Sequence, residues 1–214
     1  MQCDFDGTIT VEDVSFSLLD KFAPQTWREW LDRYKKGQIT VGQFNTTAFS
    51  LLRADRTELF AYVKDVARLR PGLPELVNYC RKSGIEFVIT SNGLDFYIDI
   101  ILKSIGLYDV RVFAARTEFD SDRLKVRYIG PDGNELMDKF KETYTRLFLS
   151  QGYRVIYAGN GVSDLSPAKL TEHIFACQDL ADECRRRNIP FTPFESLHDI
   201  ITGLEKYRAN ARTE

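Results

Sequence analysis

Short apolar segments alternate along most of this chain with stretches of helical periodicity. The segments with strand character are rich in β-branched and aromatic residues and lie at residues 87–90, 110–113, 155–158 and 174–176. Strands that alternate with helices must be joined by crossovers, which predicts a parallel sheet covered by helices on both faces. We therefore expect an α/β fold.

The segment between residues 11 and 69 has a different pattern. Amphipathic helical periodicity runs through residues 14–22, 27–34, 41–52 and 57–66, with no convincing strand. Because this segment follows the first strand directly, the sequence predicts a helical cap at residues 12–71, inserted into an α/β core of residues 1–11 and 72–214. A charged alternation at residues 123–128, followed by glycines and a proline, predicts a hairpin or flap beside the sheet.

Charge and cysteine content exclude several classes of partner. The 214 residues carry 29 Lys and Arg against 31 Asp and Glu, a net charge of −2 that offers no basic surface for nucleic acid. No apolar run approaches the roughly 18 residues that span a bilayer, and no signal peptide is evident. The four cysteines form no CxxC pair, which favours reduced thiols in a cytoplasmic protein.

The chemistry of the chain is concentrated near its beginning, in Asp4-Phe5-Asp6-Gly7-Thr8. On an extended backbone, Asp4 and Asp6 point to the same side, and ligands of open α/β sheets bind at the carboxyl ends of strands. Two close carboxylates favour a neutralising hard cation such as Mg²⁺. The alternative is an Asp-rich turn that caps the next helix.

Only three residues precede Asp4, so we expect either an unusually short strand or a chain whose start lies a few residues earlier.

Four short motifs occur in the order found in one enzyme superfamily. They are Asp4 to Thr8, Ser91 within Thr90-Ser91-Asn92-Gly93, Lys141, and the segment from Gly159 to Asp164. The chain thereby resembles the haloacid dehalogenase superfamily of phosphatases. The resemblance implies a Rossmann-like α/β core and a Mg²⁺-dependent phosphatase with an aspartyl-phosphate intermediate.

The same resemblance assigns roles to individual residues. Asp4 would be the nucleophile and Asp6 the general acid/base. Phosphate or substrate would be bound by Ser91, Asn92, Gly93, Lys141 and Asp13, and the metal by Asp4, Asp6, Asn160 and Asp164.

Each of the later motifs has a plainer interpretation. Ser91 could be the N-cap of the helix that follows it. Lys139 competes with Lys141 for the phosphate-binding role, and we favour Lys141 on its spacing to the fourth motif. Asp164 could be an acid of a solvent-exposed loop, and Asp13 an acid on a helix surface.

Asn160 departs from the superfamily, which usually has aspartate at this position. Its amide oxygen can bind a hard cation but brings no negative charge, so we expect weaker Mg²⁺ affinity than in relatives with aspartate. A weakly active phosphate-binding or regulatory protein is the corresponding alternative, and a phosphoryl-transferring mutase is a further one.

The helical insert resembles the small cap of phosphoserine-phosphatase-like enzymes. Residues 43–52 contain no arginine for a substrate carboxylate, which counts against phosphoserine. A closer resemblance, carried by residues 4–10, 22–24, 91–96, 164–170 and 180–185, is to the methionine-salvage phosphatases acting on 2-hydroxy-3-keto-5-methylthiopentenyl-1-phosphate. The cap residues Phe16, Phe44 and Phe49 could face a methylthio group or simply form core. The alternative substrates are phosphoserine or another phosphometabolite.

Overall fold

The computed structural model describes residues 1–120 and 123–210. Within them, one seven-stranded sheet has the order β4-β3-β2-β1-β5-β6-β7. The strands are β1 (Gln2–Cys3), β2 (Val88–Leu94), β3 (Arg111–Asp120), β4 (Arg123–Arg127), β5 (Ile156–Gly159), β6 (His173–Ala176) and β7 (Thr192–Pro193). Neighbouring strands are parallel, except that β4 runs antiparallel to β3. The predicted α/β fold is confirmed.

Helices connect the strands. They are α1 (Val14–Phe22), α2 (Trp27–Lys35), α3 (Val41–Ser50), α4 (Arg56–Val66), α5 (Leu73–Lys82), α6 (Asp95–Ser104), α7 (Phe140–Ser150), α8 (Leu165–Ala168), α9 (Gln178–Arg186) and α10 (Leu197–Asn210). Across residues 1–120 and 123–210, none of these helices has the length and apolar character needed to cross a membrane.

Strand β1, which leads directly to Asp4, is among the shortest strands of the sheet. β1 has two residues yet lies at the centre of the sheet, where Cys3 pairs with Ile89 of β2 on one side and with Ala158 of β5 on the other. The main-chain N–H of Asp4 continues this pairing by donating to the Ala158 carbonyl at 2.9 Å. Asp4 therefore stands at the carboxyl edge of the central strand, where open α/β sheets bind their ligands.

The first four helices leave and rejoin the sheet at one place. Thr10 forms an antiparallel bridge with Leu69, and the Arg70 N–H donates to the Ile9 carbonyl at 2.8 Å. The Arg70 guanidinium also donates to the carbonyls of Gly7 and Thr8, at 3.0 Å each. The two connections are thus tied to each other and to the first motif, as a cap hinge requires; the division into cap and core stays a prediction.

The predicted hairpin is present, although β3 is longer than the sequence indicated. The second half of β3 pairs with β4, with Thr117 opposite Val126. Leu124 and Val126 are buried, and α3 of the helical insert packs against β4. The predicted strand stops at residue 113 because two alanines and charged residues follow. These residue types are poor strand signals, but tertiary packing overrides them and extends β3 to Asp120.

Candidate active site

A cavity of about 130 Å³ lies at the carboxyl ends of the central strands, beneath α1 and α3. The predicted site residues that line it are Asp4, Asp6, Asp13, Ser91, Asn92, Gly93, Lys141 and Asn160. Asp164 does not line the cavity, but its carboxylate contacts the ammonium group of Lys141, which does. Residues that are up to 156 positions apart in the chain therefore converge on one point.

At the base of the cavity, one ammonium group bridges two carboxylates. Lys141 Nζ lies 2.7 Å from Asp4 Oδ1 and 2.6 Å from Asp164 Oδ1. All three side chains are buried, with side-chain exposures of 4%, 6% and 0% for Lys141, Asp4 and Asp164. Lys139, the competing candidate, is exposed at the start of α7, so Lys141 is the lysine placed against Asp4.

Burial governs the protonation of these groups. Removal from water, together with the charge of Asp164, raises the pKa of Asp4 to about 7, although Lys141 opposes the shift. Burial alone would lower the pKa of Lys141, but the carboxylates of Asp164 and Asp4 outweigh it and raise that pKa above its usual value. The lysine is consequently a fixed positive charge beside Asp4.

The carboxylate of Asp164 is fully engaged by protein donors. Oδ1 accepts from Lys141 and from the Tyr157 hydroxyl, at 2.6 Å each. Oδ2 accepts the main-chain N–H groups of Asn160 at 3.1 Å and Gly161 at 2.9 Å. This arrangement suits Asp164 to orienting Lys141 and the loop after β5, and its predicted contact with a metal stays a prediction.

Asp6 is held by donors on both of its oxygens. Oδ1 accepts the Val14 N–H at 2.9 Å, and Oδ2 accepts a hydrogen bond from the Tyr97 hydroxyl. Burial raises the pKa of Asp6 well above its usual value, and the nearby Asp13 adds to the effect. A carboxyl group whose pKa is raised in this way keeps its proton to higher pH, which suits a general acid.

The last residues of β2, where its pairing with β3 is irregular, form one wall of the cavity. The Ser91 hydroxyl accepts the Gly93 N–H at 2.9 Å. The helix that follows begins at Asp95 with Leu94 as its N-cap, so Ser91 does not cap it. A Cβ atom at Gly93 would overlap the Tyr97 hydroxyl and the Asp6 carboxylate, which explains why only glycine fits here.

Asn160 lies at the end of β5, opposite the first motif. Its Oδ1 accepts the Thr8 hydroxyl at 3.0 Å, and its Nδ2 donates to Gln178 Oε1 at 2.9 Å. The backbone of Gly7 has a φ of +72°, and a Cβ there would collide with the Asn160 amide. The two motifs are therefore in direct contact through a glycine.

The oxygen donors around Asp4 fit a hard cation only in part. In residues 1–120 and 123–210, no group of three or more His, Cys, Asp or Glu side chains is arranged to hold a metal ion. Asn160 contributes an amide oxygen rather than a carboxylate, and protein donors engage the oxygens of Asp6 and Asp164. The Asp4 carboxylate and one lone pair of Asn160 Oδ1 are the donors that fit a cation binding through few protein ligands, as Mg²⁺ does.

Asp13 has a structural role in addition to its position in the cavity wall. It is the N-cap of α1, and its Oδ1 accepts the Phe16 N–H at 2.9 Å. Burial raises the pKa of Asp13. Its predicted contact with substrate stays a prediction.

Sequence reasoning missed several polar residues of the site: Ser15, Asn45, Tyr97 and Tyr128. Asn45, on α3, donates to the Asn92 carbonyl at 3.0 Å and to the Tyr128 hydroxyl at 2.7 Å. The helical insert is thus hydrogen-bonded to the end of β2 that carries Ser91 and Asn92. A usable signal existed only for Tyr97, which lies one helical turn after Gly93 and so points back towards it.

A groove of about 460 Å³ adjoins the cavity and opens beside α3. The two share five lining residues, namely Tyr34, Val41, Asn92, Lys141 and Ser163. The groove is therefore continuous with the cavity that Asp4 lines.

The chain matches known proteins along most of its length. Residues 2–169 match the family model described as haloacid dehalogenase-like hydrolase. A protein of Brevibacillus brevis named 2-hydroxy-3-keto-5-methylthiopentenyl-1-phosphate phosphatase is 31% identical over 208 residues, covering 95% of this chain and 94% of its own. A protein of the same name from Bacillus velezensis is 29% identical, with coverages of 95% and 88%.

Solved structures support the fold. A structure titled as a phospho-aspartyl intermediate analogue of phosphoserine phosphatase has a TM-score of 0.70 at 16% identity, covering 94% of this chain and 96% of that one. A substrate-bound phosphoserine phosphatase complex has the same TM-score at 17% identity, with coverages of 94% and 95%. As the sequence motifs predict, the chain belongs to the haloacid dehalogenase-like hydrolase family and is a phosphatase.

Proposed function

We propose that this phosphatase hydrolyses a small phosphomonoester through a phosphorylated Asp4. The observation that carries the proposal is the buried bridge from Lys141 to Asp4 and Asp164, with Asp6 in the same cavity wall. A phosphomonoester dianion repels a carboxylate nucleophile, and a lysine beside Asp4 offsets that repulsion. No other positively charged side chain lines the cavity within the described residues.

The reaction then takes two displacements. An Asp4 oxygen bonds to phosphorus while the bond from phosphorus to the leaving oxygen breaks, and Asp6 gives its proton to that oxygen. Water next attacks the phosphorus and passes a proton to Asp6, while the bond between phosphorus and Asp4 breaks. Inorganic phosphate leaves and both aspartates return to their starting states.

Other residues bind the phosphoryl group in this proposal. The Ser91 hydroxyl and the Asn92 N–H lie at a strand end before α6, a suitable place for donors to phosphate oxygens. The Gly93 N–H donates to the Ser91 hydroxyl, which leaves the hydroxyl proton of Ser91 for a phosphate oxygen. A bound Mg²⁺ supplies further positive charge, and Asp4 and Asn160 are the residues that would hold it.

The walls of the cavity favour a substrate without a carboxylate. Phe16, Val41 and Phe44 line the cavity and give it apolar surface, whereas Phe49 is buried in the core and does not line the cavity. Lys141 is already paired with two carboxylates. We therefore propose 2-hydroxy-3-keto-5-methylthiopentenyl-1-phosphate as the substrate, in methionine salvage, and place phosphoserine second.

We further propose that the enzyme works in the cytoplasm on a free metabolite, without nucleic acid or membrane partners. Its thiols support a reducing compartment, since Cys3, Cys80 and Cys184 are buried and Cys177 half-buried, all of them unpaired.

A panel of phosphometabolites tests the function. Wild type should release phosphate fastest from the methylthiopentenyl phosphate, and more slowly from phosphoserine. Asp4→Asn should release none while unfolding as cooperatively as wild type. Substantial turnover by Asp4→Asn would contradict the nucleophile assignment, and a preference for phosphoserine would contradict the substrate assignment.

A further inference from the structure

A second hydroxyl group stands behind the one that binds Asp6. Ser15 Oγ, on α1, lies 2.7 Å from the Tyr97 hydroxyl and 3.4 Å from Asp6 Oδ2. Tyr97 is on α6 and is fully buried. The chain of contacts from Ser15 through Tyr97 to Asp6 therefore connects the helical insert with the sheet.

The direction of these hydrogen bonds follows from counting protons. Asp6 Oδ2 accepts, so Tyr97 donates its one hydroxyl proton to it. Ser15 then donates to Tyr97, its nearer neighbour, at 2.7 Å. With the Val14 N–H on Oδ1 at 2.9 Å, both oxygens of Asp6 are fixed and the carboxyl group cannot rotate without losing a hydrogen bond.

Packing alone does not account for a tyrosine at this position. The ring of Tyr97 contacts Phe5 and Phe96, with centroids 6.2 and 5.6 Å apart, contacts that a phenylalanine would also make. The hydroxyl is instead a buried polar group, which is costly unless it is hydrogen-bonded. It also occupies the space that a side chain at Gly93 would need, so the loop is shaped around it.

We propose that the Tyr97 hydroxyl, fixed by Ser15, is a positioning group that orients Asp6 towards the leaving oxygen of the substrate. The inference rests on the proposed role of Asp6. In the first displacement, the proton of Asp6 moves to the leaving oxygen as its bond to phosphorus breaks. In the second, Asp6 receives the proton of the attacking water.

The dependence of the rate on the leaving group tests this role. An alkoxide leaving group needs the proton of Asp6, whereas p-nitrophenolate leaves readily without it. For Tyr97→Phe, kcat/KM for an alkyl phosphate should fall about tenfold or more, up to the roughly 10²–10⁴ that general acid catalysis supplies in full. For p-nitrophenyl phosphate it should fall less than about twofold, because kcat/KM reports the steps up to leaving-group departure.

The aryl substrate also serves as the control for folding, because a damaged protein would lose activity on both. Ser15→Ala should show the same pattern with a smaller loss on the alkyl phosphate. Tyr144→Phe is the matched control: Tyr144 is buried and donates to the Ile129 carbonyl at 2.9 Å, outside the cavity. It should leave both rates unchanged.

Two results would overturn the inference: equal losses on both substrates for Tyr97→Phe, or no loss on either. Asp6→Asn separates this failure from failure of the proposed function. If Asp6→Asn loses alkyl phosphatase activity and Tyr97→Phe does not, only the positioning role is refuted. If Asp6→Asn hydrolyses both substrates as wild type does, the role of Asp6 itself is wrong, and the inference falls with it.

Discussion

Lys141 should contribute more to stability than any exposed lysine, because it is the cation between two buried carboxylates. Its contacts of 2.7 and 2.6 Å each correspond to a gross attraction of about 6 kcal/mol at an effective dielectric constant of about 20. Desolvation of the three charges cancels much of this attraction. Removing one partner of such a group typically costs about 3–5 kcal/mol, since the other charge is left buried and unpaired.

We therefore expect Lys141→Met to lower the free energy of unfolding by about 3 kcal/mol or more. The cost should fall mainly on Asp4, because Asp164 keeps the Tyr157 hydroxyl and two main-chain N–H groups. Neutralising Asp4 as well should recover about 2 kcal/mol of the loss, the usual size of coupling between contacting residues.

Equilibrium urea unfolding at pH 8 with EDTA measures both quantities. At that pH, Asp4, whose pKa burial raises to about 7, is largely ionised in the wild type, and EDTA keeps metal from contributing. A cycle of wild type, Lys141→Met, Asp4→Asn and the double variant gives the coupling energy. Lys139→Met, two positions earlier and exposed, is the matched control and should change stability by less than about 0.5 kcal/mol. A loss below about 1 kcal/mol for Lys141→Met, or strictly additive effects, would refute the reasoning.

Three further predictions follow from single residues. Asn160→Asp should lower the Mg²⁺ concentration at half-maximal activity and increase the thermal stabilisation by Mg²⁺, because it adds a negative charge beside Asp4; an unchanged titration would contradict this. Gly93→Ala should reduce kcat at least tenfold and cost about 1–3 kcal/mol of stability, since the new methyl group overlaps the Tyr97 hydroxyl and the Asp6 carboxylate; wild-type kinetics would show that the loop yields. Burial lowers the pKa of His173, so the unfolded chain takes up the proton first and stability should fall as the pH drops below about 6.5. His173→Gln should reduce that fall in urea unfolding at pH 5.5 against 7.5, and an identical fall would exclude His173 as its source.

The parts of the fold that the sequence predicts are those with a local cause. The strands at residues 155–158 and 174–176 have apolar runs bounded by turn signals, and they form within one residue of the predicted bounds. β3 could not be bounded in this way. Its second half is held by pairing with β4 and by the packing of α3 against that strand, which are long-range effects that its own residues do not encode.

The same distinction applies to the site. Asp4, Ser91 and Lys141 are predicted because their order along the chain matches the motifs of the haloacid dehalogenase superfamily, and they meet in one cavity at the carboxyl ends of the central strands. The hydroxyl groups that support Asp6 could not be predicted in this way. Ser15 and Tyr97 lie 82 positions apart on helices whose relative placement depends on how the insert packs, so no spacing in the sequence relates them.

The charges of the site also give Asn160 a second interpretation. Four carboxyl groups, those of Asp4, Asp6, Asp13 and Asp164, stand in or beside the cavity, and among residues 1–120 and 123–210 Lys141 is the one ammonium that lines it. A phosphate dianion must enter this acidic surrounding, and a fifth carboxylate at position 160 would oppose its entry whenever no metal is bound. An asparagine removes that repulsion and still offers an oxygen, held in place by the Thr8 hydroxyl at 3.0 Å. We therefore expect Asn160 both to weaken Mg²⁺ binding and to ease phosphate binding without the metal. Replacing Asn160 with aspartate should raise the affinity for Mg²⁺ and lower the affinity for phosphate in the absence of metal.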